Sequence, residues 1–170
     1  TVDEVMLLNP YRGIYVGPAP VPGAVGQIVL SNQRGQPLLT GIEVDQNLDV
    51  LHIEKVHFWP FWSQDQHVIS WTENHGTGLL SRRSDNPQYV QLFFFGYATG
   101  VEFGKSTCTA NTCGVTSKPK VAEMDCDFCA LGVHVTGQGT RGVLLSQLSV
   151  QGPGGGVGVG VFVEASDASL

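Results

Sequence analysis

Short runs of alternating apolar and polar residues recur along the whole chain. Each run is bounded by Gly, Pro, Asn or Asp, and this alternation is typical of strands that bury one face. The pattern predicts strands at 12–16, 27–30, 38–44, 50–59, 67–72, 78–81, 89–95, 99–103, 130–135, 143–150 and 157–163. No stretch of eleven residues has the apolar spacing of an amphipathic helix. We therefore expect an all-β fold with no more than a turn or two of helix.

The even spacing of these strands predicts a single domain over residues 1–170. Two segments depart from the rhythm. Segment 106–128 is polar, contains three of the four cysteines and is interpreted as an insertion. Segment 152–170 has a glycine hinge followed by alternating Val and Gly, which predicts a tail strand with one bare face, suited to the close approach of another sheet or chain.

Aromatic residues are concentrated at two places, FWPFW at 58–62 and FFF at 93–95. Because consecutive residues of a strand face opposite sides, both faces of these segments need cover. Two interpretations remain open. The rings form part of the core and a covered back face, or they form an aromatic surface for a sugar ring or a partner chain.

The chain is acidic and poor in charge. It has 9 Lys+Arg and 15 Asp+Glu, a net charge of −6, and charged residues make up 14% of it, against about 25% in an average soluble domain. Nucleic-acid binders need clustered cations, and the only doublet here is Arg82-Arg83, so we exclude that class.

The apolar runs fall short of the roughly 20 residues of a membrane-spanning helix. The start at Thr1, with no apolar leader, predicts a secreted protein whose leader has been removed.

Three stretches resemble the jacalin-related lectins. The Gly-rich opening at 17–30 and LTGIEV at 39–44 are similar to the first strands of that family. YVQLFFF at 89–95, continuing to VEFG at 101–104, is similar to its Y-V-x-x-L-x-F segment, and the stretch from LGVHV to LSQLSV (131–150) is similar to its closing segment. The resemblance implies a β-prism of three four-stranded antiparallel sheets. A jelly-roll β-sandwich has a similar number of strands and stays as the alternative.

The resemblance also implies a metal-independent sugar site built from two Gly-rich loops. The family binds monosaccharides through backbone amides of such loops and through one Asp in a G-x-x-x-D loop, a fixed carboxylate that makes strong charge-assisted hydrogen bonds. That loop corresponds here to 142–146, where Ser146 replaces the Asp, and the opening loop lacks the usual Gly-Gly. Both departures imply a weakened site, and Arg141 is placed to steer an anionic glycan. If the glycines only make tight turns, there is no site. The residues implied to bind sugar are Gly17, Gly23, Gly137, Gln138, Gly139, Thr140, Arg141, Gly142 and Ser146.

The four cysteines occur as Cys108-x4-Cys113 and Cys126-x2-Cys129. These spacings fit either two disulfides or a tetrahedral zinc. Acidic residues flank the second pair, where a zinc knuckle usually has Gly and basic residues, and this favours disulfides. The pairing stays open between Cys108–Cys129 with Cys113–Cys126 and two short loops, Cys108–Cys113 with Cys126–Cys129.

The sequence carries none of the common enzyme motifs. It contains no H-E-x-x-H, G-x-S-x-G, Walker, dinucleotide-binding or calcium-loop pattern. The five histidines (52, 57, 67, 75 and 134) are interpreted as core or surface imidazoles. We expect a secreted, non-catalytic carbohydrate-binding module without cofactor or metal. The alternative is an extracellular structural protein that has lost sugar binding and assembles into a homo-oligomer through its tail strand. A hydrolase with a dispersed site is the third possibility.

Overall fold

The fold is known from a computed structural model, which describes residues 1–17, 26–107 and 113–164. Within these residues the chain forms thirteen strands and one α-helix, α1 (Gln66–His75). The first sheet has the order β1-β4-β6-β8-β10-β12, with β2 also paired to β4: β1 (Val2–Asp3), β2 (Met6–Leu7), β4 (Val29–Gly35), β6 (His52–Phe58), β8 (Gln88–Phe95), β10 (Lys120–Asp127) and β12 (Leu144–Val150). The second sheet has the order β13-β11-β9-β7-β5-β3: β3 (Arg12–Val16), β5 (Thr40–Val44), β7 (Thr77–Ser81), β9 (Thr99–Phe103), β11 (Leu131–Val135) and β13 (Val159–Val163).

The strands of both sheets pair in parallel. From β3 onward, consecutive strands alternate between the two sheets, so the chain winds into a solenoid. We call one turn of this solenoid, with one strand in each sheet, a coil. Corresponding residues of neighbouring coils are 23 residues apart at Val29 and His52 and 24 apart at Lys120 and Leu144. Coils that contain α1 or the segment 104–119 are longer, and α1 itself lies outside both sheets.

The predicted all-β, antiparallel β-prism is therefore wrong, and so is the alternative jelly-roll sandwich. Most of the strands were located correctly, but their partners were not. Alternation reports that one face of a strand is buried and carries no information about which strand lies beside it. In antiparallel folds, consecutive strands commonly pair with each other, whereas here each strand pairs with the next strand but one. β10 (Lys120–Asp127) is a regular strand inside the segment interpreted as an insertion.

Three strands of the first sheet, β6, β8 and β10, share a burial pattern that departs from simple alternation. Buried residues occur at positions i, i+3 and i+5, as in Ile53, Val56 and Phe58 of β6. The residue at i+2 has a left-handed backbone conformation. As a result, the alternation of buried and exposed side chains is displaced by one residue after it. This conformation recurs at the same position in successive coils, and we call the aligned residues the polar column: Glu4, Asn32, Lys55, Gln91, Glu123 and Gln147, with φ between 52° and 57°.

A column of glycines lets the second sheet lie close to the first. A Cβ on Gly41 would lie 2.3 Å from Cε2 of Phe58, and one on Gly78 would lie 2.5 Å from Cδ1 of Phe94. Both rings are fully buried and come from the first sheet. Glycine at these positions leaves room for an aromatic core between two closely spaced backbones.

Helix α1 replaces a predicted strand at 67–72, and that prediction is wrong. Its apolar residues Val68, Ile69 and Trp71 resemble a short strand in the sequence. Asp65 decides the local structure, because its Oδ1 accepts hydrogen bonds from the backbone N–H groups of His67 (2.8 Å) and Val68 (3.4 Å) and so caps the helix. The helix ends where the N–H of Gly76 donates to Thr72 O, at 2.7 Å.

The cysteines nearest the core form a disulfide between Cys126 and Cys129, at the turn from β10 to β11. This pairing overturns the alternative that joins Cys113 to Cys126, and it overturns zinc for this pair. Cys113 is also disulfide-bonded, and Cys108 lies outside the described residues. In the part of the chain that the structure describes, no helix has the length and apolar character needed to cross a membrane.

Candidate functional site

The outer face of the first sheet carries a cluster of aromatic side chains. Alternation along β8 sends Phe94 into the core and places Phe93 and Phe95 on the outer face. Likewise, Phe58 is buried at the end of β6 while Trp59 is 37% exposed just after it. Each segment thus supplies one ring to the core and others to the surface, and contact of the outer rings with a sugar ring or a partner chain stays a prediction. We call the outer rings the aromatic cluster: His57, Trp59, Phe61, Phe93, Phe95 and Phe128.

Neighbouring coils hold these rings against one another. His57 and Phe93 are paired residues of β6 and β8, and their ring centroids are 4.8 Å apart in an edge-on arrangement. Trp59 lies 4.5 Å from Phe95, and Phe95 lies 4.9 Å from Phe128 in the next coil. Separations of this size are typical of interacting aromatic pairs. The cluster is therefore a continuous surface across three coils.

A groove of about 750 Å³ lies between the aromatic cluster and the polar column. Its volume is in the range of small-ligand sites, and five of its nine lining residues carry polar or charged groups. Asn32, Lys55 and Gln91 of the polar column contribute amide and ammonium groups along one side. The lining residues are Asn32, Arg34, Lys55, Val56, His57, Trp59, Phe61, Gln91 and Phe93.

The charged groups in the groove are cationic. Arg34 and Lys55 lie on neighbouring strands, and both are exposed. Partial burial, together with the nearby positive charge of Arg34, lowers the pKa of His57 below its usual 6.5. The imidazole is therefore neutral at neutral pH and presents an uncharged ring to the groove.

A second charged cluster lies on the outer face of the second sheet, where Glu43 accepts hydrogen bonds from Arg82 Nε (2.7 Å) and Arg12 Nη1 (3.4 Å). The buried Asp45 accepts hydrogen bonds from the backbone N–H and the hydroxyl of Thr107, both at 3.2 Å. Each carboxylate is satisfied by protein groups, so we assign this cluster a structural role. Among the described residues, no group of three or more His, Cys, Asp or Glu is arranged to hold a metal ion.

The structure does not bring the two implied sugar-binding loops together. Gly17 follows β3, whereas Gly137 follows β11, and three strands lie between them in the second sheet. Four strand spacings correspond to about 19 Å, which is more than one sugar ring can bridge. Gly23 lies outside the described residues.

The residues of the closing loop have several different environments. Gly137, Gln138 and Gly139 form a turn that is closed by Thr140 N–H donating to Gly137 O at 3.0 Å, and the Thr140 side chain is fully buried. Arg141 is exposed and pairs with Ser117 across neighbouring coils, and Gly142 precedes β12. Ser146 lies within β12, in register with Ala122 of β10, and so belongs to a strand and not to a loop.

The polar residues of the groove were missed because they are far apart in sequence. Asn32, Lys55 and Gln91 come into line only through the register of parallel strands. The sequence signal that would have found them is the repeat of apolar residues at positions i, i+3 and i+5. This repeat marks the equivalent part of each coil. The aromatic residues were recognisable from the sequence, and the sugar-ring interpretation had already named them.

Comparison with family models, with curated proteins and with solved structures finds no significant match to this chain. The resemblance to jacalin-related lectins is therefore not tested by any relative.

Proposed function

We propose that this protein binds carbohydrate in the groove on the outer face of its first sheet. The observation that carries the proposal is that residues of the aromatic cluster and three residues of the polar column, Asn32, Lys55 and Gln91, line one groove. A sugar ring has an apolar face and a polar rim. Aromatic faces bury apolar surface, while amides and cations donate hydrogen bonds to hydroxyl groups at the rim.

The groups in the groove suit binding more than catalysis. Trp59 and Phe61 offer ring surface, and Asn32 and Gln91 offer amides that both donate and accept hydrogen bonds. We therefore propose a non-catalytic, metal-independent binding function. The Cys126–Cys129 disulfide supports the proposal that the protein works in an oxidising, extracellular compartment.

The first test is a broad glycan array in chelator-containing buffer, followed by calorimetry with the sugar that binds. Trp59→Ala and Phe61→Ala are each expected to weaken binding by about 10- to 100-fold, because large aromatic side chains at the centre of a site carry much of the binding energy. Trp62→Ala is the matched control, since Trp62 is adjacent and 52% exposed but does not line the groove.

Circular dichroism melting of each variant shows whether the fold is retained. A blank array, or equal loss of binding in the Trp62 variant and the Trp59 variant, would contradict the proposal.

A second candidate function is association between copies at the C-terminal end of the solenoid. Among the described residues, β13 pairs only with β11, and all five of its residues are exposed. An unpaired strand edge offers main-chain donors and acceptors to another strand. This observation supports the self-assembling alternative, with the last strand of the second sheet as the contact.

A further inference from the structure

Among the arginines that the structure describes, Arg34 is the one that lines the groove. Arg34 is exposed and makes no side-chain hydrogen bond or ion pair with any described residue, whereas Arg12 and Arg82 both pair with Glu43. The protein has 9 Lys+Arg against 15 Asp+Glu, so carboxylates are plentiful elsewhere. An arginine left unpaired beside aromatic rings in an acidic protein is a candidate for binding an external anion.

The other charged groups around Arg34 do not neutralise it. Lys55 lines the same groove, in which His57 is uncharged, and the hydrogen bonds from Ser31 and Asn32, followed by the positive charge of Lys55, lower the pKa of Asp3. The Asp3 carboxylate itself accepts hydrogen bonds from Ser31 Oγ (2.6 Å) and Asn32 Nδ2 (2.7 Å). Lys55 is thus partly balanced by Asp3.

Four further carboxylates surround the groove without pairing to Arg34: those of Glu4, Glu54, Glu123 and Asp125. Glu4 lines a smaller adjoining cavity of about 260 Å³ together with Arg34, and no ion pair joins the two side chains. Asp125 is the neighbour of Phe93 in the next strand, on the far side of the groove from Arg34. Arg34 and Lys55 are the two charged residues that line the groove itself, and both are cationic.

We infer that Arg34 binds an anionic group, a carboxylate or a sulfate, on the sugar that stacks against Trp59 and Phe61. The guanidinium is planar and presents paired N–H donors that match the two oxygens of such a group. Lys55 lies in the neighbouring strand as a second, weaker source of positive charge. This inference rests on the proposed function and specifies its ligand as an acidic saccharide.

The test compares matched polysaccharides that differ only in charge. Dextran and soluble cello-oligosaccharides are each used in unmodified, carboxymethylated and sulfated form, together with any neutral and acidic pair that the array identifies. The charged forms are expected to bind at least about 10-fold more tightly than the neutral ones, with affinity that falls as salt rises. The carboxymethylated and sulfated arms separate the two anions.

Substitutions locate the contact. Arg34→Gln is expected to weaken binding of the charged forms by about 10- to 100-fold and to leave the neutral forms within about 2-fold. Arg34→Lys is expected to recover only part of this loss, because an ammonium cannot make the paired contact. Arg141→Gln is the control for general attraction of polyanions, since Arg141 is exposed and lies outside the groove.

The outcomes separate this inference from the function on which it rests. Equal binding of neutral and charged forms, lost in Trp59→Ala, overturns the inference and leaves sugar binding intact. Loss in Arg141→Gln instead of Arg34→Gln also overturns the inference and moves the anion to the closing turn. No binding by any form, together with a blank array, overturns both.

Discussion

At the scale of single residues, Gly78 shows how little space separates the two sheets. A Cβ there would lie 2.5 Å and 2.6 Å from two carbons of the Phe94 ring and 2.8 Å from Gly100 O. Neither neighbour can move easily, because the Phe94 ring is fully buried and the Gly100 carbonyl belongs to the backbone of the adjacent strand. Gly160 occupies the same position in the last coil, and a Cβ there would meet nothing within 4 Å.

Gly78→Ala is therefore expected to destabilise the protein by about 1–3 kcal/mol through overpacking. Gly160→Ala is expected to change stability by less than about 0.5 kcal/mol. Urea unfolding of the two variants measures the difference. Similar midpoints for both would contradict the close approach described for Gly78.

At this scale, much of the structure was predictable from the sequence. Alternation predicted that neighbouring residues of the FFF segment face opposite sides, because that rule depends only on local strand geometry, but it did not identify Phe94 as the ring that enters the core. The role of Gly78 was not predictable. It depends on a ring that comes from another strand of another sheet.

At the scale of elements, the strands of the first sheet share one unusual feature, the left-handed residue of the polar column. Residues with a side chain adopt this conformation at a cost of about 1–2 kcal/mol, and β-branched residues find it hardest. Glu123 of β10 has φ 54°, whereas Asp125, two residues later on the same strand, has no positive φ. Both side chains are acidic and exposed.

Glu123→Val is expected to destabilise the protein by about 1–2 kcal/mol, because the branched side chain resists a positive φ. Asp125→Val is expected to be close to neutral, since Val suits ordinary strand geometry. Glu123→Gly is expected to be tolerated, because glycine adopts this conformation freely. Thermal melting of the three variants checks the order of their stabilities. If Glu123→Val does not change the melting temperature, the left-handed backbone of the polar column is contradicted.

The sequence contains a repeat that simple alternation conceals. Buried residues at i, i+3 and i+5 recur in β6, β8 and β10, and a glycine recurs as the second residue of β5, β7, β9 and β11. Unequal coil lengths hide this period, because α1 and segment 104–119 separate repeats that would otherwise be about 23 residues apart. The segments that resembled lectin strands, such as 39–44 and 131–135, contain this second-sheet repeat.

At the scale of the whole molecule, stacked coils leave an open end. Within the described residues, β12 and β13 are the last strands of their sheets, and Val161 of β13 is 37% exposed although its partner Val133 is fully buried. Solenoids need a polar cap at each end to remain soluble as monomers. Among the described residues, the last strand of the second sheet is apolar and exposed, and this favours contact with another copy.

Sedimentation of the full chain is expected to show a weight-average mass that rises above 18.2 kDa with concentration. Val161→Lys is expected to hold the mass at the monomer value, because a charge on the edge strand opposes pairing. Leu48→Lys is the control, since Leu48 is 41% exposed in the turn after β5. A mass that stays constant with concentration would remove association as a candidate function.

The predicted sugar site depended on the whole-molecule arrangement, and it is here that sequence reasoning was weakest. Gly17 and Gly137 are close only if the chain folds back in antiparallel hairpins. In a stack of parallel coils, sequence distance becomes distance along the stack, so these residues lie at different levels. The groove residues are far apart in sequence but lie close together in the structure, because equivalent positions of different coils become neighbours.

The stacking of one coil on the next also determines the length of the groove. Each coil adds one strand to its floor, so its length changes only in steps of about 4.8 Å. Duplication or loss of a whole coil would lengthen or shorten the groove by one step and leave the contacts of the remaining coils unchanged. In such a protein, selectivity for ligand length would therefore change in discrete steps, through the number of coils and not through the shape of a pocket.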